Sequence, residues 1–153
     1  MPNDENEVFV ANSICECSEI DEPIMRLFLI TKRLLRIATK LSSHVCADAT
    51  YKLIWQGYPV LIVGATDREK KFHPFGMAVT TTEDHNDFKF IFHSLKKAVE
   101  LVAHPFEYNP SILIADASGA ITNGFKNVFT MSNRIMCWAH MIRCVDNHLS
   151  YFS

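Results

Sequence analysis

The sequence is 153 residues long and sparing in the residues that mark unusual architectures, with only 5 glycines, 6 prolines and 2 tryptophans. So little glycine and proline excludes collagen-like repeats and long low-complexity disorder. The glycines, Gly57, Gly64, Gly76, Gly119 and Gly124, form neither a G-x-x-x-x-G-K nor a G-x-G-x-x-G pattern, so no nucleotide phosphate loop is expected. There is no serine or cysteine nucleophile elbow, and no apolar run approaches the ~20 residues needed to cross a bilayer. The opening Met1-Pro2-Asn3-Asp4-Glu5-Asn6-Glu7 has no base and no apolar stretch, so neither a secretory signal nor a basic targeting helix is expected there. An odd number of cysteines, 5, without such a signal argues against a disulfide framework and for an intracellular protein.

What is present is ordinary for a globular chain: 48% apolar and 21% charged residues, enough for one domain with a real core. The net charge of −2 hides an asymmetry. Residues 1–22 carry seven acids and no Lys or Arg, which leaves residues 23–153 with 15 bases against ten acids, a net of +5. An acidic leader on a mildly basic body is compatible with a polyanionic partner without requiring one.

Along the chain, Val8–Val10 reads as a strand within the leader, and Met25–Ile30 as a short strand. Thr31 is the expected N-cap of a helix reaching about Leu41. Its apolar stripe is Leu34, Leu35, Ala38 and Leu41. Lys32, Arg33, Arg36 and Lys40 form its other face, either a solvated surface or a set of phosphate contacts. Ser43–Asp48, Val60–Ala65 and Phe72–Thr82 read as three strands joined by turns, an antiparallel meander. Asp84–Ala103 has a continuous helical stripe, Phe88, Ile91, Phe92, Leu95, Val99 and Val102. Ser111–Asp116 is another apolar strand. A helix carrying Ile121, Phe125, Val128 and Phe129 follows, then a strand around Arg134–Cys137 and a last helix from Trp138 to about Leu149. The order β-β-β-α-β-α-β-α predicts an α/β mixed sheet in which three antiparallel strands are followed by parallel strands reached through helical crossovers.

Asp48 and Asp116 each end an apolar strand. A carboxylate there is costly unless it meets a cleft, a cation or hydrogen-bond donors. If the two strands are parallel neighbours, both acids stand at one carboxyl edge, where a divalent cation would separate their charges. Each also fits a turn or helix cap, and spacing alone does not separate the two readings. Cys137, His140, Cys144 and His148 share a helical face. The 11 positions from Cys137 to His148 span about 16 Å, too far for one tetrahedral zinc. A packed face with buried thiols and hydrogen-bonded imidazoles competes with a zinc site built from neighbouring members. Glu83 reads as a helix N-terminal charge.

These residues together resemble the Mutator-like (MULE) transposases. Asp48-Ala49-Thr50-Tyr51-Lys52-Leu53 is similar to the family's first catalytic motif. Tyr58–Asp67 followed by Phe72–Ala78 resembles its next two strands, Ile112–Ala117 its second aspartate strand, and Cys137-Trp138-Ala139-His140 its Cys-x-x-His element. The likeness covers roughly residues 25–150, so the expected division is an acidic leader, 1–22, and a transposase-like portion, 23–153.

The resemblance implies a ribonuclease-H-like fold, incomplete at its C-terminus, and DDE-type chemistry, in which three carboxylates hold two Mg²⁺ or Mn²⁺ ions that assist in-line displacement at a phosphodiester. Asp48 and Asp116 take the first two catalytic and metal-holding places. The family's third acid, a Glu well beyond the Cys-x-x-His element, has no counterpart before Ser153, and Asp146 reads as a surface residue. Cys137 and His140 take a zinc-binding or structural place. DNA is the implied partner, with Lys32, Arg33, Arg36 and Lys40 as its candidate contacts. No membrane and no small-molecule substrate is implied, self-association stays open, and the implied location is the nucleus. The expectation is a partial transposase domain inactive by itself; the other reading is a non-catalytic module that keeps the fold for binding DNA or protein.

Overall fold

The structure is a computed structural model that describes residues 1–17 and 22–149. Its elements, in chain order, are β1 (Phe9–Glu16), β2 (Ile24–Ile30), α1 (Lys32–Lys40), β3 (His44–Thr50), β4 (Val60–Thr66), β5 (Phe72–Thr80), α2 (His85–Val102), β6 (Ile112–Ala115), α3 (Gly119–Lys126), β7 (Asn133–Met136) and α4 (Trp138–Leu149). Seven strands form one mixed sheet in the order β1-β2-β5-β4-β3-β6-β7. The β3–β4–β5 meander is antiparallel, and β6 and β7 add to β3 in parallel. α2 is the crossover that carries the chain from β5 to β6 on the other side of β3, as a parallel connection requires.

One expectation changes. The strand foreseen at Val8–Val10 is longer, Phe9–Glu16, and it forms one edge of the sheet. β1 pairs antiparallel with β2 through seven registered positions, and β2 pairs with β5. The antiparallel part of the sheet therefore has five strands rather than three. The β1 sequence, FVANSICE, shows no clean alternation, because its side chains are mostly half-buried or exposed on both faces. Its polarity concealed its membership of the sheet.

One face of the sheet carries the core. Phe28, Val45, Ala47, Leu61, Val63, Phe75, Leu113 and Ala115 are buried there beneath α1, α2 and α3. The expected stripe of α2 is what seals it: Phe88, Ile91, Phe92, Leu95 and Val99 are all fully buried. Each such side chain contributes on the order of 1.5–3 kcal/mol. Phe125 and Phe129 meet Phe92 edge-on, at 5.4 and 6.2 Å between ring centroids. α3 lies so close to α2 that a Cβ on Gly124 would come within 2.5 Å of the Phe88 Cβ. Only glycine allows that approach.

The helix starts are fixed by side chains. Thr31 caps α1 as expected, its oxygen accepting the Leu34 N–H at 3.2 Å. Asp84 accepts the Asn86 and Asp87 N–H groups, while Asp87 accepts the Asp84 N–H at 2.9 Å, a reciprocal box that satisfies the first turn of α2. Asp87 is also the anchor of a buried pair. Its carboxylate accepts from Arg26 Nε on β2 and from the Thr82 hydroxyl, both at 2.7 Å.

Candidate functional site

The register of β3, β4 and β6 decides what the opposite face displays. On β3, Val45 and Ala47 point into the core, so Cys46 and Asp48 point the other way. Asp48 is registered with Ile62 on β4, and Cys46 with Ile114 on β6. These four side chains floor a groove of about 650 Å³. Lys70 and Phe72, from the β4–β5 turn and the start of β5, line it together with Trp138 and His140 from the start of α4. Lys70 has φ 65°, a left-handed conformation that reverses the tight turn between the two strands.

Asp116 immediately follows β6, the parallel neighbour of β3, so it ends beside Asp48. One ligand atom from each of Asp48, Asp116 and His140 lies within 4.8 Å of the other two. Both carboxylates are also locally tethered: Asp48 accepts the Ala49 N–H at 2.8 Å and Asp116 the Ser118 N–H at 2.9 Å. The cap reading and the clustered reading of Asp116 are thus compatible. One Asp116 oxygen holds the turn while the carboxylate stays within reach of Asp48 and His140.

His140 reaches the acids because α4 begins where it does. The Cys137 N–H donates to the Ala115 carbonyl at 2.8 Å, extending the β7–β6 ladder to the residue before Asp116. The Met141 N–H then donates to the Cys137 carbonyl at 3.0 Å and starts the helix. His140 sits on this first turn with Nε2 3.8 Å from an Asp48 oxygen. Its Nδ1 is buried and has no hydrogen-bond partner among the described residues.

The sequence pairing of Cys137 with His140 places both on the groove, but the residues gathered most tightly with His140 are the aspartates. Cys46 also lines the groove, and burial pushes its thiol up, so it is a poor nucleophile at neutral pH. The side chains of Cys144 and His148 lie outside the described residues. Tyr51, just past β3, is pushed up to about 12, chiefly because its hydroxyl hydrogen-bonds to the Glu83 carboxylate. Glu83 thereby bonds a phenol at the β3 edge, a role its place before α2 did not announce.

The basic face of α1 belongs elsewhere. Arg33, Arg36 and Lys40 are exposed and Lys32 is half-buried. The leader crosses this helix: Glu5 forms an ion pair with Arg36, and its carbonyl accepts the Arg33 N–H at 3.0 Å. Lys40 borders a second, shallower depression with His44, Arg68 and Asp67, at the opposite end of β3 from Asp48. There the Thr66 N–H donates to His44 Nε2 at 3.1 Å, and His73 pairs with Asp67 at 2.7 Å. None of the four α1 bases lines the groove. Lys70, Phe72 and Trp138 do, and no sequence pattern singled out the first two.

No helix among the described residues is long and apolar enough to cross a membrane. A family model described as the MULE transposase domain matches residues 44–143, from the first residue of β3 into α4. The matched stretch contains Asp48, Asp116, Cys137 and His140 and leaves out β1, β2 and α1. A search of curated proteins finds no match.

Proposed function

The chain belongs to the MULE transposase domain family, and from that membership we propose that it is a transposase-derived DNA-processing domain of ribonuclease-H-like type. The observation that carries the reading is the meeting of Asp48 and Asp116 at the carboxyl edge of a parallel strand pair, with an imidazole beside them. The strand order β5-β4-β3-β6-β7, three antiparallel strands followed by two parallel ones, supports the fold assignment. The chemistry of the donors fits a divalent cation: two carboxylates offer hard oxygen ligands and His140 a nitrogen. Asp48, Asp116 and His140 would hold it. When bound, such an ion supplies Lewis-acid assistance to displacement at a phosphodiester.

The chain's own residues do the rest. Asp48 and Asp116, each held by a backbone N–H, keep a carboxylate oxygen within 4.8 Å of each other and of a His140 ring nitrogen. Lys70, at the far wall, offers a cation to a phosphate entering the groove, and Trp138, 70% exposed, a face on which a base can stack. DNA is the partner in this reading and the nucleus the place of action. The bases of α1 contact a more distant stretch of backbone.

Two carboxylates and an imidazole are a weaker clamp than the three carboxylates of DDE chemistry, so this chain by itself binds DNA without completing strand transfer. A binding module of the same fold is the alternative. Duplex-DNA binding measured across salt concentrations tests the partner: affinity should fall steeply as salt rises, and a flat dependence would remove DNA from the reading. A plasmid-nicking assay with Mn²⁺ tests the clamp. Little or no cleavage is expected, and robust cleavage that Asp48→Ala abolishes would refute the stated incapacity.

A further inference from the structure

His140 is the member of the three-residue group whose chemistry differs from the rest, and it stands where an ion between the aspartates would meet it. Its Nε2 is 3.8 Å from the Asp48 oxygen. Two atoms bonded to one ion at about 2.1 Å can be up to about 4.2 Å apart, so that spacing is already bridgeable. The spacings of up to 4.8 Å within the group close with a small turn of the Asp48 carboxylate, whose side chain is 57% exposed and hydrogen-bonded by the Ala49 N–H alone among the described residues. His140 cannot drift far in return. Its helical turn is pinned by the Cys137–Ala115 hydrogen bond, one residue before Asp116.

We propose that His140 is a direct ligand of the ion held by Asp48 and Asp116, and that its imidazole turns the site's preference from Mg²⁺ toward Mn²⁺ and related transition ions. The inference rests on the reading of the two aspartates as an ion site. Its chemistry is general. Mg²⁺ is served best by oxygen ligands and keeps its waters, whereas an imidazole nitrogen favours first-row transition ions. An all-carboxylate site lacks that bias. The buried Nδ1 points to the same arrangement from the other side. With Nδ1 shut away from solvent, Nε2 is the nitrogen that faces the acids.

Mn²⁺ binding by the whole chain, followed by electron paramagnetic resonance without DNA, tests this apart from activity. Pulsed measurements on the bound Mn²⁺ should show coupling to an imidazole ¹⁴N nucleus, and His140→Ala should abolish it. The same substitution should weaken Mn²⁺ binding by about ten- to a hundredfold, the range seen even for outer-shell partners of metal ligands. His140→Asp should restore binding while lowering the Mn²⁺-over-Mg²⁺ ratio, measured by Mg²⁺ competition. Bound Mn²⁺ with no ¹⁴N coupling, or with an affinity indifferent to His140→Ala in a protein whose melting is unchanged, overturns the ligand role and leaves the aspartate site standing. Failure of the unaltered chain to bind Mn²⁺ at millimolar concentration removes the aspartate site itself, and this inference with it.

Discussion

The two faces of the sheet are built from the same strands and obey opposite rules. On the packed face, Val45, Ala47, Leu113 and Ala115 alternate with residues that look the other way, and three helices close over them. Its charges are few and fully engaged: Asp87 is wholly buried and takes hydrogen bonds from Arg26, Thr82 and the Asp84 backbone. On the open face the intervening residues, Cys46, Asp48, Ile62 and Ile114, floor a groove. Its charges are crowded and only partly engaged, with Asp48 more than half exposed. Here two like-charged carboxylates stand close together, and a cation between them would relieve their repulsion. Removing a charge should therefore be ruinous on the packed face and harmless or helpful on the open one.

The largest effect is expected from Asp87→Ala. It leaves the Arg26 guanidinium buried without its counter-charge and removes the α2 capping box, so about 3–5 kcal/mol should be lost in chemical denaturation. A loss below about 1 kcal/mol would mean that the packed face does not depend on its charges. Next is Tyr108→Phe. The Tyr108 ring is fully buried against Phe129, but its hydroxyl has no partner among the described residues, and burial pushes its pKa well above the ordinary phenol range. Deleting that oxygen removes a desolvation cost, so stability should rise by about 1 kcal/mol or slightly more, read as a higher melting temperature. A fall would show that the hydroxyl is satisfied in solution.

Smaller still is the expected change for Asp48→Asn or Asp116→Asn. Asparagine keeps an oxygen for the Ala49 or Ser118 N–H and relieves the repulsion, so stability should stay within about 1 kcal/mol or increase. Losses near those of Asp87→Ala would erase the contrast between the faces. The least is expected from acid titration of His44, at the far end of the open face. Burial lowers its pKa from the ordinary 6.5, so the folded chain favours the neutral ring. The stabilisation that follows is complete above that value and is lost as pH falls through it toward the folded-state pKa. Denaturation at about pH 7.5 and about pH 5.5 should show a drop that His44→Gln reduces, since glutamine carries no proton-linked charge.

Much of this could be read from the chain before it was folded. The α2 stripe, the Thr31 cap, the β3–β4–β5 meander and the order of the later elements follow from spacing alone, because hydrophobic periodicity and capping are local properties. The weak alternation of Phe9–Glu16 could not reveal an edge strand, since an edge is specified by its partner more than by its own pattern. Nor could the basic face of α1 announce that Glu5 lies across it.

By itself the sequence determined which residues alternate, where helices begin, and that two apolar strands end in Asp48 and Asp116. Tertiary structure alone decided that those strands are parallel neighbours, that the last helix starts beside them with His140 turned inward, and that Lys70 and Phe72 wall the groove. The reason is range. Asp48, Asp116 and His140 are separated by whole crossovers, and a pattern that repeats every two or four residues carries no information about which distant edge a strand will join.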